Sequence, residues 1–183
     1  MATETKSKKT ETVKANSDAA KDLKSLYIDC LKDIYWAENA LLKKLPTIAK
    51  NATTKSLVKA IESHTKETEG HITRLEKAFE LIGEKPSGEK CEAMAGLLKE
   101  GEDIMESTKP GPVRDAGIIA ASQKIEHYEI ATYGTICAFA KTLGQDEAAK
   151  ILHETLKEEK AADQALTDSA YNDINFSASD EEK

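Results

Sequence analysis

His64-Thr65-Lys66-Glu67-Thr68-Glu69-Gly70-His71 lies at the centre of a long helical pattern. Residues three and four apart share one face of a helix. His64, Glu67 and His71 therefore line one stripe. That stripe is apolar on either side, with Leu57, Ala60 and Ile61 before it and Leu75, Ala78, Phe79 and Ile82 after it. Ionisable groups point where a core is expected.

Working outward, the same 3–4 spacing recurs upstream as Leu23, Tyr27, Cys30, Ile34, Glu38, Leu41, Leu45 and Ile48. This predicts a first helix near 19–50, capped by Ser17 or Asp18, with Pro46 a place for a kink. Thr53 or Thr54 caps a second helix that Gly83 ends near residue 82. The short loop between these helices makes them antiparallel neighbours. Residues 83–112 form a long connection bounded by Pro86-Ser87-Gly88 and Pro110-Gly111-Pro112, and the apolar spacing around Cys91–Leu98 places a short helix inside it. A third helix near 113–143 carries Ile118, Ser122, Ile125, Glu129, Tyr133, Ile136 and Leu143, with Glu126 beside Glu129 on the same face. Gly144 stops it, Asp146 caps the next, and a fourth helix near 146–170 carries Leu152, Leu156, Glu159, Asp163 and Leu166.

Each long helix thus has a carboxylate in its core stripe: Glu38, Glu67, Glu126 with Glu129, and Glu159. Each of these acids also lies near the middle of its helix. In a bundle the midpoints share one level, so the acids converge with His64, His71 and Asp163 on one layer. Carboxylates are almost never fully buried unpaired, and several in one core repel one another. Two divalent or trivalent cations would neutralise such a layer, and a carboxylate–imidazole donor set suits iron or manganese. Arg74 is the nearest competing cation, as a partner for Glu67. On this reading the metal-binding set is Glu38, Glu67, His71, Glu126, Glu129, Glu159 and Asp163. His64, Tyr35 and Tyr133 support it by hydrogen bonds, with a plain core role as the alternative for each.

The totals agree with an all-α chain of one domain. It has 183 residues, 32% of them charged, and few Gly, Pro and aromatics. A formal net charge of −7 argues against general nucleic-acid binding. Only the Lys-rich start, with Lys6, Lys8, Lys9 and Lys14, could touch DNA. No apolar run is long enough to span a membrane, and the chain shows no secretory signal, so a cytoplasmic protein is expected. Cys30, Cys91 and Cys137 fall in helical patterns as reduced core thiols. Residues 1–17 are expected to be a disordered tail, 18–171 the bundle, and 172–183 a flexible acidic tail.

Glu38, the His-x-x-Glu-x-x-x-His of 64–71, Glu-His-Tyr-Glu-Ile-Ala-x-Tyr-Gly at 126–134 and Glu-Glu-Lys-Ala-Ala-Asp at 158–163 resemble the ferritin-like superfamily. More closely, residues 20–170 resemble the bacterial YciE/YciF-type stress-induced proteins, including the Cys-x-Ala-Met-x-Gly-Leu of the long connection. The resemblance implies a rubrerythrin-like four-helix bundle with one long, helix-containing crossover between the second and third helices, a dinuclear site and a homodimer. The sequence departs from the usual dinuclear pattern at two places. Gly70 stands where Glu67-x-x-His would end, and Ala161 and Ala162 follow Glu158 and Glu159 where a histidine is usual, leaving Asp163 as a substitute. The oxygen-rich set leans toward manganese or a more exchangeable iron site. Three functions follow as expectations: peroxide or oxygen chemistry of peroxidase, catalase-like or ferroxidase type; metal binding without turnover; or a metal-free helical dimer with a structural or partner-binding role. Any electron donor must come from outside, because the chain has no Cys-x-x-Cys relay.

Overall fold

The computed structural model describes residues 12–180. Its elements are α1 (Leu23–Asn51), α2 (Lys55–Leu81), α3 (Glu92–Ser107), α4 (Pro112–Thr142) and α5 (Asp146–Ser169), followed by a π-helical turn (Ala170–Ile174) and α6 (Asn175–Asp180). α1 packs on α2, α4 on α5, and the two pairs close against each other through α2–α5 and α1–α4 contacts. α3 lies outside this four-helix bundle, against α4 and α1. The expected all-α bundle with a helix-containing crossover is what the chain forms. Among the described residues no helix is long and apolar enough to cross a membrane.

The helix ends follow local chemistry. Gly83 and Gly144 both adopt positive φ, +77° and +71°, which ends α2 and α4 where glycine was expected to. α1 starts later than expected: its cap is Asp22, whose carboxylate accepts from the Ser25 backbone N–H at 2.7 Å. Ser17 and Asp18 lie before the helix, in an exposed segment with no apolar face to bury. Pro46 sits inside α1 on an exposed position, where water can take the carbonyl that the ring deprives of a partner. Beyond Tyr171 the chain continues as helix. Ile174 is 1% exposed, and its burial among α4 and α5 residues draws the chain on as helix to Asp180. Of the expected N-terminal tail, residues 1–11 lie outside the described residues, and 12–22 are exposed apart from any helix.

All three cysteines are free thiols. Cys91 has more to do than fill space: its sulfur accepts from the Met94 N–H at the start of α3 and donates to the Tyr128 hydroxyl, which donates to Asp33 at 2.6 Å. This chain of contacts fastens the crossover to α1 and α4.

The corner between α1 and α2 is held from a distance. Asp115, in the first turn of α4, is fully buried. Its carboxylate accepts from the backbone N–H of Thr53 and Thr54 at 2.8 and 2.7 Å and from their hydroxyls at 2.8 and 2.6 Å. Thr54 makes no side-chain cap of its own. The expected Thr cap of α2 is replaced by an aspartate from another helix, and the threonine hydroxyls serve as donors. Asp115→Ala would take the shared acceptor from the half-buried Thr54 and the exposed Thr53. We expect a loss of about 3 kcal/mol, at the level of a charged hydrogen-bond site. Urea unfolding checks it, and a loss below about 1 kcal/mol would mean the corner is secured otherwise.

Candidate metal centre

α2 faces the bundle along His64, Thr68, His71 and Leu75, all buried. Thr68 uses its hydroxyl internally, on the His64 carbonyl at 2.9 Å, so no polar demand is left at that step. The line brings the two histidines inward and leaves Glu67 a position off it, with 42% of its side chain exposed. From the other helices Glu38, Glu129 and Glu159 are fully buried, and Glu126 is 3% exposed. Four carboxylates and two imidazoles therefore meet in the middle of the bundle.

Two sets of these side chains bring one ligand atom each within 4.8 Å of one another: His64, Glu126, Glu129 and Glu159, and Glu38, His71 and Glu159. Glu159 belongs to both. His71 Nδ1 lies 3.0 Å from Glu159 Oε1 and 3.4 Å from Glu38 Oε1, off the direction of a hydrogen bond. Its Nε2 is 3.0 Å from Glu158 Oε2. Both ring nitrogens of His64, both oxygens of Glu129 and Glu159, and one oxygen each of Glu38 and Glu126 are buried without a hydrogen bond. Buried polar groups are nearly always paired, and ligand-type atoms facing one another in this state fit divalent cations.

Without a cation, protons must neutralise the layer. Burial pushes the Glu129 carboxyl well above its usual range, reinforced by the charges of Glu159 and Glu38. Burial also raises Glu126 to about 8 and raises Glu159. For His71, burial works against the charged ring, but Glu159 and Glu38 outweigh it and lift the imidazole to about 10. His64 is raised in the same way, with Glu67 and Glu126 opposing burial.

The structure separates the sequence-predicted residues into those it brings together and those it does not. Glu38, His71, Glu126, Glu129 and Glu159 meet, and His64 joins them as a member of one set rather than a supporting group. Glu67 belongs to neither set; its carboxylate stands 3.7 Å from His64 Nδ1 at the rim. Asp163 also lies outside them, because it turns toward α4, 3.3 Å from His127 and 3.4 Å from Gln123. Tyr133 donates to Glu38 Oε1 at 2.5 Å, as expected of a supporting hydroxyl. Tyr35 does not: its hydroxyl donates to Glu76 at 3.0 Å, and its ring stacks edge-on against Phe79.

Sequence reasoning gave Glu158 no part in the layer and offered Arg74 only as a rival partner for Glu67. The guanidinium does not meet Glu67. It forks onto Glu158 at 2.5 and 2.7 Å, and Glu158 in turn accepts from His71 Nε2. Arg74 holds the Glu158 carboxyl below its usual value against the opposing effect of burial. An ionised Glu158 accepts a hydrogen bond from His71 Nε2–H and leaves Nδ1 facing Glu38 and Glu159, the carboxylate–histidine arrangement that fixes a ligand ring. The available signal was Arg74 one turn after His71, able to reach the neighbouring helix.

A ferritin-like helical bundle with a carboxylate–histidine layer is the class this fold and site define. The chain belongs to the domain family of unknown function DUF892, which matches residues 22–179. It is 44% identical over 159 residues to protein YciF of Escherichia coli (strain K12), covering 86% of this chain and 96% of YciF. The crystal structure of the E. coli stress protein YciF aligns with a TM-score of 0.82 over 85% of this chain and 99% of that one. YcfI from Rhodopseudomonas palustris aligns at 0.80 with 41% identity, over 84% and 98%. A protein from Xanthomonas campestris, 20% identical, shares the fold at 0.72 over 88% and 100% of the chains. The chain is of the YciF stress-protein type.

Glu126, Glu129, Glu159 and His71 all bind protons more tightly folded than unfolded. Their stabilising contribution in metal-free protein is full below the unfolded values, near 4.5 for the carboxyls and 6.5 for imidazole, and is lost as pH rises through about 8 for Glu126 and about 10 for His71. Glu67 and Glu158, held low, act oppositely, but only at acid pH. The urea midpoint of metal-free protein should fall steadily from about pH 5 to about pH 9. A flat or rising midpoint over that range would show that the layer does not carry these protons.

Proposed function

We propose that the protein is a dinuclear iron or manganese carboxylate protein that handles peroxide or oxygen. The observation that carries this is the pair of overlapping donor sets sharing Glu159, with their ligand atoms buried and unpaired. His64, Glu126 and Glu129 would hold one ion and Glu38 and His71 the other, and Glu159 belongs to both sets. A pair of redox metals held there would supply electrons to an O–O bond, the basis of peroxidase, catalase-like or ferroxidase chemistry.

The chain's own residues have definite tasks in this reading. Tyr133 fixes the Glu38 carboxylate by its hydroxyl. Glu158, clamped by Arg74, accepts a hydrogen bond from His71 Nε2–H and so presents Nδ1 to the centre. Burial keeps bulk water away from the layer, which strengthens every charge interaction within it. The unit is a homodimer in this reading, which light scattering tests.

A second reading is a metal-free or merely metal-binding protein with a structural or partner-binding role. It is favoured by the raised proton affinities of the layer, which let protons substitute for cations. YcfI, the R. palustris relative, is a protein for which a structural role has been suggested.

Elemental analysis after anaerobic Fe(II) or Mn(II) loading decides between them. The first reading expects about two metals per chain, loss of most of the metal in Glu129→Ala and Glu159→Ala, and peroxide consumption by loaded protein only. Glu158→Gln, which keeps shape but not charge, should weaken metal binding by about tenfold. No metal uptake under any loading condition, or unchanged uptake in Glu129→Ala, would leave the structural reading.

A further inference from the structure

The bundle is not packed alike on both sides of the carboxylate layer. Toward the C-terminal half of α1 it encloses a cavity of about 360 Å³. That volume is within the range of small-ligand sites and many times what a water or hydrogen peroxide molecule needs. The cavity runs beside α1 from Leu41 as far as Ile48, about 10 Å of helix rise.

Its walls divide by chemistry. Leu41, Leu45, Ile61, Ile125 and Leu166 supply a continuous apolar lining. The space between them exists because Ala162, on the bundle side of α5, and Ser122 on α4 are small where bundles usually place large apolar side chains. The opening lies between α2 and α5, framed by the exposed Ala60, Ser63, Ala161 and Ala165. Two polar residues close the inner end: His64, 8% exposed with neither ring nitrogen hydrogen-bonded, and Glu126, 3% exposed with Oε2 unpaired. The carboxylates of Glu67 and Glu158 stand at the edge.

We propose that this cavity binds a neutral apolar molecule bearing one hydroxyl or hydroperoxyl group, with that group against His64 and Glu126. The apolar walls reward a hydrocarbon body, and the buried end offers unpaired hydrogen-bonding atoms for a single polar head. Glu67 and Glu158 disfavour an anion at the entrance. The class that fits is an alkyl or aryl alcohol or the corresponding organic hydroperoxide. That the head group would thereby lie at a reacting centre rests on the dinuclear reading above. The binding itself does not.

The test uses full-length protein, cumyl alcohol as the probe and phenylacetate as its anionic counterpart of similar size. Calorimetry and ligand-observed NMR are run on metal-free and Mn(II)-loaded samples, with metal content measured in parallel. We expect saturable binding of cumyl alcohol and binding of phenylacetate weaker by about tenfold or more. Ala165→Trp, which plugs the opening from an exposed position, should weaken cumyl alcohol by a similar factor while metal content stays unchanged. Ala60→Trp plugs the opposite wall and gives the same reading if the first variant folds poorly. Metal uptake without saturable probe binding overturns the cavity proposal alone. Probe binding without metal uptake sustains the cavity and sinks the dinuclear reading. Equal affinity for both probes, or an affinity that neither tryptophan alters, overturns the proposal. So does light scattering that shows self-association broken by Ala165→Trp, since the opening would then be a contact between copies.

Discussion

Everything in this bundle is arranged around carboxylates that have been taken out of water together. An isolated buried anion costs several kcal/mol even after relaxation, and Glu38, Glu126, Glu129 and Glu159 share a single layer. Such a layer persists only with compensating positive charge. The fold supplies His71 and His64 from one helix, and beyond them either protons or cations. The structure commits four helices to this layer and lets their remaining lengths pack as ordinary apolar surface. That division of labour is why the helices are long and their midpoints coincide.

The two ends of the layer behave differently. On one side Tyr133 packs fully buried and spends its hydroxyl on Glu38. On the other side small residues keep the interior open. The lateral edge is stiffened by Arg74 and Glu158, which connect α2 to α5 and set the orientation of His71. A closed side, an open side and a charged clamp give the centre a direction of approach, which a symmetric bundle core would lack.

Much of this was legible in the residues. Periodicity placed the four long helices, and glycines marked two of their ends, because a left-handed residue after a helix is a local demand. The convergence of the acids followed from phase and depth together. What failed was finer. Phase by spacing cannot separate a residue on the bundle line from its flank, so Glu67 and Asp163 looked equivalent to Glu159. His64 looked secondary, although α2 turns it inward beside His71. Contacts between elements distant in sequence were invisible: Asp115 on Thr53 and Thr54, Arg74 on Glu158, and Cys91 with Tyr128 and Asp33. The end after Tyr171 looked too polar to hold, yet it continues as helix with Ala170 and Ile174 buried and α6 packed on α4.

The aspartate at the start of α4 has an effect beyond the corner it closes. By gripping both N–H groups at the beginning of α2, it fixes the axial register between the helix that bears the histidines and the helix that bears Glu126 and Glu129. A slip of one helical turn between them is about 5.4 Å, more than the 4.8 Å span that defines each donor set. The layer could not survive such a slip in part. Asp115 thus works as a zero mark for sliding, and the distances at the centre are set from the far end of the bundle, by a residue that touches none of the groups there.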